Sequence, residues 1–565
     1  MSLLSSLQVA NNALTAAQLG LQTTGNNIAN ANTPGYIRQQ LLQTPSPPQK
    51  VGGVAVGLGV DVVAVVQQVD RFLQQRLRSA TSDLENGQKQ VDTYDSLEAL
   101  LSELGDTDLS TSLGNFFNSI QDILNQPEDR SLRNLTRLLG ETLTGDIQRL
   151  DANVRTLRSQ VNDEVIAAAD EINSLLSDIA ALNKQIVTID GGGTSASDAV
   201  GLRDQRDVAL GKLASLIDIR VFEQATGDVS IYSGGDYLVL QGNFREVSAV
   251  ITPEEGLGKA EIRITATDSA VESTSGKLAG LLTSRDEILG GFLTQLNDFS
   301  RTLIYEFNRV YSSGQGRTGY SELTSEHSVL DTAAPLDAAG LAFAPHNGSF
   351  SVLVRNKQTG LTSTHDLFVR LEGLPGDSSL ESIAAELNGI EGISAAITAD
   401  RKLQIKADSA NVEFAFADDT SGLLASLGVN TFFSGTGASD IGISEVVRKD
   451  PLKFAASNAG IDGGSGNAVR LAEFFDTKLA SASGASIADL YQQLVAGVTQ
   501  GAAITRAATD GFRSYQQTLE GQHLAISGVS LDEEAIKMIS YQSAFQAAAR
   551  FVSTIRELLE ILTAL

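Results

Sequence analysis

The chain has no cysteine and no tryptophan, and only two methionines and four histidines among 565 residues. Without cysteine it can form no disulfide, no thiolate nucleophile and no thiolate zinc site. The histidines, His327, His346, His365 and His523, are scattered and form no His-x-x-x-His pair, so a zinc site is not expected. Basic residues are also few, with 41 Lys and Arg against 68 Asp and Glu and a formal net charge of -27. Phosphate backbones and anionic lipids need clustered cations, so neither nucleic acid nor membrane is an expected partner. No apolar run approaches the ~20 residues that cross a bilayer. The N-terminus lacks both the basic n-region and the compact apolar h-region of a secretory signal. Composition alone leads to the expectation of a cytoplasmic protein.

Motifs of chemistry are missing as well. "GVAVGLGV" (53–60) lacks the full dinucleotide fingerprint, and no Walker lysine follows a glycine run, so these glycines are expected to serve turns. Acidic neighbours such as Glu533 and Glu534, or Asp418 and Asp419, are ordinary in so acidic a chain and are expected on solvated faces. Within "LRDQRD" (202–207), Arg203 and Asp207 stand at i,i+4 and can pair, while Asp204 and Arg206 can instead reach an adjacent β-domain. The expectation is a protein with no catalytic residue, no cofactor and no metal.

What the sequence does have sits at its two ends. Leu3, Leu7, Ala10, Leu14, Ala17, Leu21 and Ile28 form an apolar seam at alternating spacings of four and three, with Thr24 filling one gap. No charged residue occurs before Arg38, so this helix is expected to face protein on several sides. Gly20 and Gly25 each weaken it by ~1 kcal/mol relative to Ala. Thr33 before Pro34 is pushed to extended geometry and Gly35 accepts a positive φ, so the helix must end near Asn32. At the other end Met538, Tyr541, Phe545, Ala548, Val552, Ile555, Leu559 and Leu562 repeat in the same way. Ser530 and Glu533 stand at capping-box spacing, which predicts a helix from Leu531. Antiparallel pairing of the two seams would bring the termini together. Equally, each helix could pack on a globular domain of its own.

"NNIANANTPGY" (26–36) resembles the N-terminal signature of the flagellar rod, hook and hook-associated proteins, and "SGVSLDEEAIKMISYQSAFQAAARFVSTI" (527–555) resembles their C-terminal one. "LRDQRDVALGKLASLIDIRV" (202–221) and "SGLLASLGVNTFFSGTGASDIGIS" (421–444) are similar to segments of the long members that join hook to filament. The resemblance implies a structural component of the bacterial flagellum, located outside the cell and exported through the flagellar type III channel. It also implies terminal segments that order on assembly into an axial tube. The implied assembly interface comprises the two apolar seams with Asn27, Asn30, Pro34, Gly35 and Tyr36. The implied partners are further copies of the chain in a ring, the hook protein, the second hook–filament junction protein and an export chaperone. Alternatives are another axial protein, or a peptidoglycan hydrolase fused to a flagellar protein. No hydrolase signature stands between the terminal motifs.

Between the ends, 51–66 is β-branched and alternates imperfectly, predicting a short extended connection. Helical period returns at Val66, Val69, Leu73, Leu77, Ala80 and Leu84, and again over Val91 to Leu101. The longest seam follows, from Leu143 through Val161, Val165 and Ala168 to Ile189, with one stutter at Val161–Ala168. It predicts ~70 Å of helix, and "DGGGTSAS" (190–197) is read as a turn closing it. The period is two over 219–272, helical over 276–311, and strand, strand, helix, strand, strand within 313–450. Residues 455–525 show no clear long seam. The expected fold is multidomain α+β, with coiled-coil-like terminal helices and a long helical rod carrying nested β-rich and α+β insertions. The expected domains are an inner terminal one (1–62 plus 525–565), a rod (63–218 plus 273–312 and 451–524), a β-meander (219–272) and an outward-facing insertion (313–450).

Overall fold

A computed structural model describes residues 3–51, 54–102, 109–190, 199–254 and 257–564. It is a mixed fold, mostly helix with several small antiparallel sheets. Its contacts gather into two compact, discontinuous units. One comprises Met1–Thr93, Ser159–Arg285 and Ala503–Leu565, the other Tyr94–Arg158 and Asp286–Ala502.

In the first unit the N-terminal helix, Leu3–Ala29, packs against the C-terminal helix, Leu531–Ala564. Asn27 meets Glu534 and Gly20 meets Tyr541, so numbering rises in one helix as it falls in the other. The pair is antiparallel. After the Asn-rich turn the chain runs back as strand Gln39–Pro45, paired antiparallel with Val60–Gln67 across a bulge at Leu42/Gln43. The Asn12 amide donates to Ser46 Oγ, the Leu58 carbonyl and Asp61 Oδ1, tying the N-terminal helix to this ribbon. Val66 is thus a strand residue, and the next helix, Arg71–Ser102, starts later than its period suggests.

The long helix spans Arg130–Asp190, 61 residues or roughly 90 Å at 1.5 Å per residue. It begins thirteen residues ahead of Leu143, where the seam starts. Seam residues Ile147, Val154, Val165, Ile172, Ile179 and Ile186 are fully buried, while Ile189 is exposed. The turn expected at 190–197 lies, apart from Asp190, outside the described residues.

Within the first unit, three asparagines of this helix hold the β-structure by its backbone. Asn162 donates to the Gly258 carbonyl and accepts from the Ala260 amide. Asn173 treats Val247 alike, and Asn183 treats Val229 alike. Spacings of eleven and ten residues keep them near one face, since three helical turns take about eleven. They serve a four-stranded sheet over Arg220–Phe244 and a three-stranded one over Val247–Ala270.

The second unit includes the five elements read within 313–450, in the expected order: Gly348–Asn356, Thr362–Val369, Leu380–Asn388, Ile393–Ile397 and Leu403–Ala407. Val412–Ala417 adds a further strand beside the first. One apolar cluster fills this part, with Phe350, Ile383, Leu387, Phe414 and Phe416 all fully or almost fully buried. A second cluster packs Phe116 and Phe307 against Phe432 and Phe433, tilted or edge-on, at ring separations of 5.0 to 5.7 Å. The helix Ile487–Ser527 runs 41 residues where no long seam was legible. Its buried positions include Ala502 and Thr509, too small or too polar to mark a stripe.

Candidate functional site: the clasp between the chain ends

The N-terminal helix ends at Ala29, three residues before the expected limit, and a turn follows in which the Asn30 amide donates to the Asn26 carbonyl and the Thr33 amide to the Asn30 carbonyl. Gly35 has φ +78°, and a Cβ there would lie 2.2 Å from Val208 Cγ2. Both conformation and space therefore require glycine. The turn aims Tyr36 back at the helix, where its hydroxyl donates to Asn27 Oδ1 at 2.8 Å.

Asn27 is the hub. Its Oδ1 also accepts from the Gln39 amide at 3.0 Å, and its Nδ2 donates to the Gln39 carbonyl and to Glu534 Oε2, both at 2.9 Å. Glu534 Oε1 accepts from Arg38 Nε at 2.9 Å and Nη2 at 2.7 Å, and from Lys537 Nζ at 3.2 Å. Arg38 also pairs with the exposed Glu533 at 2.7 Å, and its amide donates to the Ser527 carbonyl. Asn27 and Glu534 are 1% and 0% exposed and Arg38 is 7%. Burial pushes the Glu534 carboxyl up, but the bonds from Asn27 and Arg38 with the Lys537 charge outweigh it and hold the pKa below the usual range. Burial, with the charges of Asp204 and Glu534, holds the Tyr36 phenol up and protonated.

Glu534 corrects the expectation of a solvated face, and so does Asp419. Asp419 is 8% exposed and accepts from the amides of Ser421, Gly422 and Leu424. The paired spacing of these acids was visible in sequence, but nothing there shows which member turns inward.

The seams occupy the buried side of both helices. Ala10, Ala17, Ala548 and Ile555 are buried, and Leu3, Leu7, Leu14, Leu21, Ile28, Met538, Tyr541, Val552 and Leu559 are half-buried. Phe545 is 38% exposed, Asn30 bonds within the turn, Pro34 is exposed, and the Leu562 side chain lies outside the described residues. Gly20 does more than weaken its helix: a Cβ there would fall 2.5 Å from the Tyr541 ring, so the glycine is the slot that admits it.

The "LRDQRD" segment folds differently from its spacing. Arg203 pairs with Asp190 and Glu223 rather than with Asp207, and Asp204 accepts from Gln67 Nε2 at 2.6 Å. Arg206 does reach the β-domain, donating to the Gly227 carbonyl at 2.7 Å and to Asn183 Oδ1. Among the described residues, no group of three His, Asp or Glu is placed to hold a metal, and no helix is long and apolar enough to cross a membrane.

Three family models match along the chain: the flagellar hook-associated protein FlgK helical domain over 94–323, the flagella basal body rod protein over 7–36, and the flagellar basal body rod FlgEFG protein C-terminal over 520–565. Flagellar hook-associated protein 1 of Bacillus subtilis is 26% identical over 98% of this chain and 96% of its own. That of Escherichia coli is 26% identical over 97% of both. The chain is thus similar to flagellar hook-associated protein 1 over nearly its whole length. A solved structure, the flagellar hook junction protein FlgK from Burkholderia pseudomallei, covers 80% of this chain and all of its own at TM-score 0.50 and 15% identity, and so shares the fold. The two rod-family matches fall on the clasp, covering Asn27, Tyr36 and Glu534 between them. Arg38, two residues past the N-terminal match, was missed in sequence, although it is the first charge in the chain and faces two neighbouring glutamates.

Proposed function

We propose that this flagellar axial component joins hook to filament from outside the cell, after export through the flagellar type III channel. It acts through interfaces rather than catalysis. Copies assemble through their terminal helices into a ring, contacting hook protein on one side and the second hook–filament junction protein on the other. An export chaperone is the remaining partner the family resemblance implies.

One observation carries the assembly reading. The C-terminal helix uses one face for the clasp and leaves apolar residues on the opposite face: Ile536, Ile539, Phe551, Leu558 and Ile561 are 46 to 69% exposed. At ~100° per residue they share one face, a stripe that a partner helix would cover. Replacing Ile539 and Leu558 together by Asp tests this, because both are exposed in the single chain. The isolated protein should melt as before, while cells should lose filaments, since a buried unpaired carboxylate opposes assembly. Normal filaments on the double variant would sink the reading. Deleting 1–37, or everything from Leu531, should likewise abolish incorporation while residues 94–158 and 286–502 stay folded.

The four-domain division is proposed on similar grounds. Every member of the main apolar cluster of 313–450 lies between Tyr320 and Val429. That segment therefore supplies its own core and should unfold cooperatively when expressed alone.

A further inference from the structure

We propose that the "LRDQRD" segment builds a binding site for a small tetrahedral oxyanion of the phosphate or sulfate class. The site is a cavity of about 230 Å³ lined by Arg71, Arg78, Arg203 and Arg206, with Gln74 and Asp207 among the other walls. At ~30 Å³ per water it holds roughly seven waters, ample for such an ion. The four arginines come from the helices Arg71–Ser102 and Val200–Leu216, so a bound anion would bridge them.

Among the described residues, four arginines line the cavity and two carboxylates, Glu223 and Asp190, pair with them. Glu223 takes Arg71 at 2.5 Å, Arg203, and Arg206 at 3.6 Å, and Asp190 takes Arg203. Among the described residues Arg78 forms no ion pair within 4.0 Å and donates to Gln74 Oε1 at 3.3 Å, leaving most of its five N–H donors unspent there. Arg206 is 3% exposed, and among the described residues its sealed Nε has no acceptor. Burial lowers the pKa of both Arg78 and Arg206, as expected for cations short of counter-charge. The opposing group is Asp207, which among the described residues accepts from Gln74 at 3.4 Å and whose pKa burial raises. A guanidinium fork matches two oxygens of an oxyanion, so Arg78, at the cavity wall, offers what such a ligand takes.

The test uses the full chain titrated with sodium phosphate by calorimetry and thermal melting, against sodium chloride of equal ionic strength. One saturable site per chain is expected, with sulfate competing. Arg78→Gln should weaken it at least tenfold with unchanged melting in chloride, and Asp207→Asn should tighten it by removing the opposing carboxylate. The site is refuted by an absence of saturable binding up to ~10 mM phosphate, where a ligand with 0.1 mM Kd would be 100-fold in excess. It is equally refuted if Arg78→Gln and wild type gain melting temperature alike, which marks a general salt effect. The inference does not depend on the junction reading, since filaments could form with or without it.

Discussion

The apolar core of 320–429 and the clasp of the chain ends solve burial in opposite ways. The core closes on itself: Phe350, Phe414, Phe416, Leu380 and Ile383 are 2% exposed or less, and three of its strands alternate around one sheet. The clasp is a two-helix pair whose seam is mostly half-buried and whose centre is the Arg38–Glu534 ion pair, bonded to Asn27, Lys537 and Glu533. A closed core gains from water exclusion everywhere. Two helices alone cannot exclude water on all sides, so the pair relies on hydrogen bonds that fix register, and it keeps apolar surface for assembly. A buried charge pair is weak evidence for stability but fits a register role well.

The largest test of that contrast is Glu534→Ala. It leaves the Asn27 amide without its carboxylate and the Arg38 guanidinium with the exposed Glu533 alone, a loss approaching the ~3–5 kcal/mol of a broken buried pair. Hydrogen exchange should show the terminal helices opening while amides of the 320–429 core keep their protection. Uniform loss of protection would mean the two regions are not distinct in stability.

Gly20→Ala comes next. A Cβ 2.5 Å from the Tyr541 ring forces the pair apart, a cost of roughly 1–3 kcal/mol for overpacking. Gly25→Ala is the internal control, because nothing lies within 4 Å of its Cβ position. There the helix should gain up to ~1 kcal/mol. Equal effects at both positions would show that Gly20 matters only through propensity.

Acid should separate the regions more gently. The Glu534 pKa is lowered on folding, so its contribution is present above the ordinary carboxylate pKa of 4.5 and is lost as pH falls through the lower folded value. Asp204, in the same unit, has the opposite sign. Burial raises it from 3.8 to about 6, so its penalty is felt above that pH and fades as pH drops from 6 toward 3.8. The clasp should therefore hold or gain between pH 7 and 5 and weaken below 4.5, with Asp204→Asn flattening the first arm and Glu534→Gln the second. A single monotonic fall, unchanged in both variants, would assign the acid response elsewhere.

These residues also mark how far the sequence could be read. Periodicity located both terminal helices, the long helix and the strands after Gly348, because each has a continuous apolar stripe or alternation. It missed most of the length of Ile487–Ser527, whose buried positions are spaced by alanine, glycine and threonine. The seams were legible as patterns, but the clasp was not. Arg38 and Gln39 lie in one segment and Glu534 in another, and only the antiparallel pairing brings residues 496 positions apart into contact. Gly20 was legible as a helix weakener and not as a slot, since its partner ring belongs to the other end of the chain.

The smallest expected effect concerns Lys537, and it asks whether the clasp centre is a pair or a network. Its Nζ reaches Glu534 Oε1 at 3.2 Å, but the side chain is 43% exposed, against 8% for Arg38 and 1% for Glu534. An exposed partner is screened by water and salt, and such pairs contribute about 0.2–1 kcal/mol. Lys537→Ala should thus cost no more than ~1 kcal/mol, shrinking in high salt, because Arg38 and Asn27 still satisfy the carboxylate. Combining it with Glu534→Gln gives the decisive cycle. If Lys537 acts only through Glu534, its loss costs nothing further in the Gln background, and the coupling equals the whole single-mutant effect. A loss that persists there, at equal size, would place Lys537 outside the clasp and reduce its centre to Arg38, Asn27 and Glu534.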